Sequence, residues 1–391
     1  MSGRPRRKSP ILLNPGPVSL SDRVREALLL PDLCHREPEF FELQKSVRGQ
    51  LLAVYGLPAS AWAAVLLGGS GTAAVEAMLS SLVGDDGHLL VLENGVYGER
   101  FTQIARAHRI ACSSMHFAWE EEIPLQRVAA ALDAEPSISH VAVVHHETTT
   151  GRLNSLESLG EMCRSRNLSL LVDAVSSFGA EEIDFERWGV TALAGSANKC
   201  LHGIPGVAFV VARRSALETC KPSGTLYLNL RTYYEKQERE DTPFTPAVHC
   251  FYALDEALRE LAEAGGWRAR RRRYRTLAER MRQCLAQLGV RPMIPPQESS
   301  CVLRSYRLPA GVTYESLHDQ LKQLGFVIYA GQGRLKEQIF RISTMGAIDD
   351  EDIDRLCSAL NQCFARRSNL LPNADPVADR SSLSRLARPP R

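Results

Sequence analysis

Short apolar runs alternate with helical patterns through most of the chain, and this alternation constrains the fold more than any other feature. Val65–Leu67 precedes a glycine cluster, and Thr72–Leu82 then has helical spacing. Leu89–Glu93 is a candidate strand, followed by loop and helix over Gly95–Ala107. Val141–His145, Leu168–Asp173, Ala192–Ser196 and Val207–Val211 are further candidate strands, with helical stretches such as Ser155–Arg166 between them. Strand–helix alternation of this kind predicts an α/β domain built on a mostly parallel sheet.

The pattern changes after about Pro246. A long charged helical segment runs Tyr252–Leu288, broken near Gly265–Gly266. Ser300–Tyr306, Tyr314–Leu324, Phe326–Tyr329, Ile339–Ser343 and Asp349–Phe364 then read as strand, helix, short strand, strand and helix. That order suits a smaller C-terminal α+β domain. The expected organisation is a disordered basic arm over 1–10 and an N-terminal segment with the large domain over 11–250. A connecting helix with the small domain follows over 251–365, and a disordered tail over 366–391.

Composition removes several readings. With 47 basic and 45 acidic residues in 391, the formal net charge is +2. Such a balance gives no single-sign field to favour nucleic acid or an acidic membrane. A hydrophobic share of 44% is too high for a wholly disordered chain. Apolar runs such as Val141–Val144 are far shorter than the ~20 residues that span a bilayer. The ten cysteines are scattered without a CxxC pair, so no metal site is expected. Met1–Ser9 is basic and lacks the apolar stretch of a secretory signal. Reduced, mostly buried thiols in a cytoplasmic protein are the expectation. The run Arg268–Arg275 (RARRRRYR) is expected to be a solvated helix face.

Candidate chemistry lies in loops after the strands, where open α/β sheets bind ligands. Gly68–Thr72 (GGSGT) leads into a helix whose free N–H groups favour an anion, most naturally a phosphate. Asp173 ends an apolar run; it fits a helix N-cap or a partner for a cationic nitrogen. Lys199 follows another strand; it fits a snorkelling surface lysine or, if desolvated, a nucleophile toward carbonyls. Taken together, the three match what pyridoxal phosphate requires: an amine for its aldehyde, a carboxylate for its ring nitrogen and a cup for its phosphate.

At these residues the sequence resembles the class V, fold type I aminotransferases. The matching stretches are LLNPGPVSLSDRVREALL (Leu12–Leu29), LLGGSGTAAVEAML (Leu66–Leu79), ENGVYGER (Glu93–Arg100), ISHVAVVHHETTTGRLN (Ile138–Asn154), LLVDAVSSFG (Leu170–Gly179), SANKCLHGIPGVAFV (Ser196–Val210) and GFVIYAGQ (Gly325–Gln332). The resemblance runs from about Ile11 to Phe364. It implies transamination between 2-aminoethylphosphonate and pyruvate, with Lys199 carrying the cofactor and Asp173 paired with its ring nitrogen. It further implies that Tyr97 stacks on the ring and that Ser70, Gly71, Thr72 and Ser196 serve the phosphate. Thr148 would bond near the phenolic oxygen, and Thr245 would reach the phosphate in the neighbouring subunit of a homodimer. Arg341 would hold a substrate anion, with Asn14 and Gly16 of the NPGP loop beside the substrate. The chain departs from the family pattern at His146, at Ala330 and in Cys34–Phe40, which leaves Arg36 or His35 to meet the substrate anion in its own way.

Other readings share these features. An alanine– or serine–glyoxylate aminotransferase would use the same loops and Arg341. A cysteine desulfurase would need a nucleophilic cysteine on a mobile loop, and none is assigned. A non-catalytic binding protein on the same fold would be expected to lack Lys199 or Asp173, and both are present.

Overall fold

A computed structural model describes residues 10–220 and 224–368, without side chains for the last four. The basic arm, except for its last residue, and most of the C-terminal tail lie outside the described residues. At the C-terminus the helix Asp350–Ser368 continues four residues past the expected end at Phe364.

Seven strands form the central sheet: β1 (Trp62–Gly69), β2 (His88–Glu93), β3 (Ala111–His116), β4 (His140–Val144), β5 (Ser169–Asp173), β6 (Val190–Ser196) and β7 (Gly206–Arg213). Their spatial order is β1-β7-β6-β5-β4-β2-β3. Only β7 runs against its neighbours; β6, β5, β4, β2 and β3 pair in parallel. Interior strands of such a sheet are covered on both faces, so they read as continuous apolar runs. Trp62, Ala64 and Leu66 of β1 enter one core, with Phe40 and Val47 from the helix Pro38–Ala53. Ala63, Val65 and Leu67 enter the other, with Ala74 and Met78 from the helix Gly71–Leu82. Phe251, Leu254, Leu258 and Leu261 of the helix Val248–Glu263 also pack into the first core, so that helix is part of the large layer.

A second, antiparallel sheet has the order β8-β10-β9, from β8 (Leu303–Arg307), β9 (Tyr329–Ala330) and β10 (Ile339–Ser343). The helix Gly266–Gln287 joins the two layers, after a turn at Gly265 in the left-handed region. The N-terminal segment crosses the same divide. Ile11–Leu12 pairs in parallel with Phe326–Val327 of the small layer, and Leu13 accepts from Ser343 N at 2.8 Å. The chain then passes over the carboxyl ends of the large sheet, and this crossing positions the candidate site.

The arginine run is not simply solvated. Arg270 donates to the Cys200 carbonyl at 2.6 Å, and Arg271 lies 3.2 Å from the buried carboxylate of Glu181. The bridging helix has a layer on more than one side, so part of the run must face inward. No disulfide joins the cysteines among the described residues; Cys163, Cys200, Cys220, Cys284 and Cys301 are buried and Cys34 is exposed. No described helix is long and apolar enough to cross a membrane.

Candidate active site

Asp173 is the last residue of β5 and Ser196 the last of β6, and Asp173 sits opposite Ala194 in the ladder. The sheet therefore presents a carboxylate and a lysine-bearing loop at the same edge. Lys199 donates from Nζ to the carbonyl of Pro15 in the crossing N-terminal segment. Burial lowers its pKa to about 8, against support from Cys200 and Asp173; Arg341 and Arg100 lower it further. An amine in this state is far more often neutral near pH 7 than an ordinary lysine, and so more nucleophilic.

Asp173 is 8% exposed, and burial raises its pKa to about 6. One carboxylate oxygen, Oδ1, accepts from Val175 N at 2.9 Å. No helix directly follows Asp173, so the bond closes a turn rather than a helix N-cap, and the electrostatic pull of Arg100 and Lys199 on the carboxyl is present beside it. Val175 also links this strand end to the glycine loop, since a Cβ on Gly71 would lie 2.7 Å from Val175 Cγ1. Ser70 caps the helix Gly71–Leu82 without a side-chain bond of its own. Its carbonyl takes Ala73 N at 2.9 Å, and Gly71 and Thr72 come first in that helix.

Arg100 completes the loop and was not anticipated. It reaches Thr72 Oγ1 from Nη1 at 3.2 Å, and its guanidinium lies 4.7 Å from the Tyr97 ring centroid. Tyr97 and Arg100 are three apart on the helix Val96–Ala107, the spacing that stacks side chains on one face. That spacing was the available signal. Glu147 was also missed. Its Oε2 accepts from the N–H groups of Tyr97 and Gly98, each at 3.2 Å, and so closes a helix start that Gly95 cannot cap. Burial raises Glu147 to about 7.

Arg341 is fully buried at the centre of the small sheet, between Ser305 and Tyr329 in register. Nε donates to the Ala330 carbonyl at 2.8 Å and Nη1 to the Thr148 carbonyl at 2.7 Å and to Gln332 at 3.1 Å. Nη2 is buried without a partner. A fixed guanidinium with one unused edge is suited to an incoming anion. Asn14 donates to the Pro17 carbonyl at 2.9 Å, and its buried Oδ1 is likewise unpartnered.

The structure brings Asn14, Gly16, Thr72, Tyr97, Thr148, Asp173, Lys199 and Arg341 into one linked set. Ser196 stands beside it, bonded to Asn198 at 2.5 Å. Arg36 and Thr245 make no hydrogen bond with that set among the described residues. Arg36 meets Asp241 at 2.8 Å, and exposed Thr245 meets His35 at 3.3 Å. At the departure His146, Nδ1 donates to the Ser176 carbonyl at 2.9 Å, while Nε2 is buried without a partner. Burial lowers His146 to about 4, so it is neutral near pH 7.

Residues 42–356 match the model of a family described as aminotransferase class-V. A protein of Klebsiella pneumoniae subsp. pneumoniae named 2-aminoethylphosphonate–pyruvate transaminase is 36% identical over 361 residues, covering 90% of this chain and 97% of that protein. An aspartate aminotransferase of subgroup IV from Thermus thermophilus superposes with a TM-score of 0.83 at 29% identity, over 91% of this chain and 99% of that one. An alanine–glyoxylate aminotransferase from Nostoc superposes with a TM-score of 0.85 at 26% identity, over 93% and 97%.

Proposed function

The chain belongs to the class V aminotransferase family, and on that premise we propose that it moves the amino group of 2-aminoethylphosphonate to pyruvate. The products are phosphonoacetaldehyde and L-alanine. The observation that carries the chemistry is a buried lysine, Lys199, held by the Pro15 carbonyl at the sheet edge that also carries Asp173, with its pKa lowered by burial and the charges of Asp173 and Arg341 both felt at its amine. The substrate assignment is supported by relatives carrying that name, such as the Klebsiella protein.

The residues suit pyridoxal phosphate. An unpaired buried Nη2, a strand-end carboxyl and a helix start without a side-chain cap are the donor set that the cofactor and an anionic substrate need. Lys199 would hold the cofactor covalently, and Asp173 would keep its ring nitrogen charged. Tyr97 would lie on the ring, Thr148 by the phenolic oxygen, and Ser70, Gly71, Thr72 and Ser196 at the phosphate. Bound there, the cofactor supplies the electron sink that lets an amine-bearing carbon lose a proton. Nζ of Lys199 would take that proton and return it, acting as base and then acid. Arg341 orients the phosphonate in one half-reaction and the pyruvate carboxylate in the other. A single anion site used in turn suits a ping-pong order. Asn14 and Gly16 would border the substrate, and Arg36 the approach to it. Thr245, placed on the surface, would serve the site of a second subunit, so a homodimer is part of the proposal.

Purified protein supplied with 2-aminoethylphosphonate and pyruvate should form alanine. Turnover with serine or alanine plus glyoxylate, and none with the phosphonate, would instead favour the reading suggested by the likeness to the Nostoc enzyme.

A further inference from the structure

A crevice outside the candidate site lies where the bridging helix Gly266–Gln287 meets both layers. It measures about 740 Å³ and is lined by Arg271, Arg275, Arg280 and Arg304, against the carboxylates of Glu181 and Glu279. Both carboxylates are already held. Glu181 accepts from Ser300 Oγ at 2.6 Å and Cys301 N at 2.9 Å, and is ion-paired with Arg271 at 3.2 Å. Glu279 is paired with Arg282 at 2.5 Å. Arg280 is likewise committed, to Asp350 and Asp354.

Three guanidiniums remain with capacity: Arg271, whose Nε is ion-paired with Glu181 but makes no hydrogen bond, Arg304 and Arg275. Arg304 comes from β8 with its side chain 10% exposed, and its Nε has no hydrogen-bond partner. Its Nη1 donates to the Ala278 carbonyl at 3.3 Å and is loosely paired with the Glu279 carboxylate at 3.9 Å, and the guanidinium also bonds the Tyr306 hydroxyl. Arg275 is exposed and has no carboxylate partner among the described residues. It lies four residues after Arg271, hence on the same helical face. A buried cation with an unused donor is costly unless something anionic shares its site. Planar guanidiniums bind phosphoryl oxygens through paired hydrogen bonds.

We infer that this crevice is a second anion site, distinct from the Lys199 centre, and that it takes a small polyanion bearing phosphoryl oxygens. None of its lining residues belongs to the set around Lys199. Its walls come from the large layer at Glu181 and from the small layer at Arg304, so a bound polyanion would lie across the joint between them.

Pyrophosphate is the probe, titrated calorimetrically into the full-length, cofactor-loaded protein so that the cofactor's own phosphate cup is filled. Saturable binding that weakens with added salt is expected. Arg275→Glu should weaken it by about tenfold or more. Arg272→Glu, the same charge change at an exposed position that does not line the crevice, should leave it within about twofold. Absence of saturable binding by the unaltered protein would overturn the inference. So would binding unchanged by Arg275→Glu, or reduced equally by both variants, since either places the anion elsewhere.

Discussion

A Cβ on Gly16 would stand 2.7 Å from Cδ of Lys199 and 2.9 Å from the Asn198 carbonyl. Gly16 also has φ +108°, a conformation that side chains rarely adopt. The crossing N-terminal segment therefore depends on this residue to come close enough for Pro15 to accept from Nζ. Gly16→Ala should cost about 1–3 kcal/mol of stability. It should also reduce turnover by about tenfold to a hundredfold, as a catalytic group is displaced by an ångström. Thermal melts and kcat together check this.

Asp173 predicts a pH signature in the cofactor-free protein. Its folded pKa of about 6 lies above the ordinary 3.8. The folded form thus holds a proton that the unfolded chain has lost. The associated stability is full below about 4 and is lost as pH rises through about 6. Asp173→Asn should remove that slope while retaining an acceptor for Val175 N. Activity should nevertheless fall by about 10²–10³-fold, because the charge facing the ring nitrogen is gone. Melting curves across pH, set beside kcat, test both halves.

Arg341 is expected to act through binding. Arg341→Lys keeps the charge but loses the planar fork. KM for both the phosphonate and pyruvate should rise by about 10–100-fold, with a smaller change in kcat. A KM change confined to one substrate would show that the two anions do not share this residue.

Much of the fold was readable because its interior strands are continuous apolar runs. β2 and β4 to β6 are interior parallel strands of this kind; β7 is antiparallel and β1 lies at the sheet edge, yet both are buried along nearly their whole length and read the same way. β3 was not anticipated. Its sequence, ACSSMH, is half-exposed at the sheet edge and has no apolar run to mark it. At the site, Lys199 and Asp173 could be placed from their positions after strands. Arg100 and Glu147 could not, since each acts through contacts that only the fold creates. Glu147 serves a helix start some fifty residues away. The arginine run misled for the same reason: Arg271 and Arg270 find partners 89 and 70 residues distant, at Glu182 and Cys200.

Lys199 should titrate unlike a surface lysine. Burial lowers its pKa from 10.5 to about 8, so the folded state holds its proton less tightly than the unfolded chain does. Its contribution to stability is therefore unfavourable below about 8 and recovers as pH rises toward 10.5. The rate at which cofactor-free protein condenses with pyridoxal phosphate should rise with pH and level off above about 8. A rate still climbing toward 10.5 would mean that the amine is solvated.

The position of the covalent link tests the account most directly. Borohydride reduction of the cofactor-loaded protein, followed by peptide mapping by mass, should place a reduced pyridoxal phosphate adduct on Lys199. Lys199→Ala should show neither the adduct nor amino transfer. An adduct on another lysine, or full turnover by Lys199→Ala, would contradict the account.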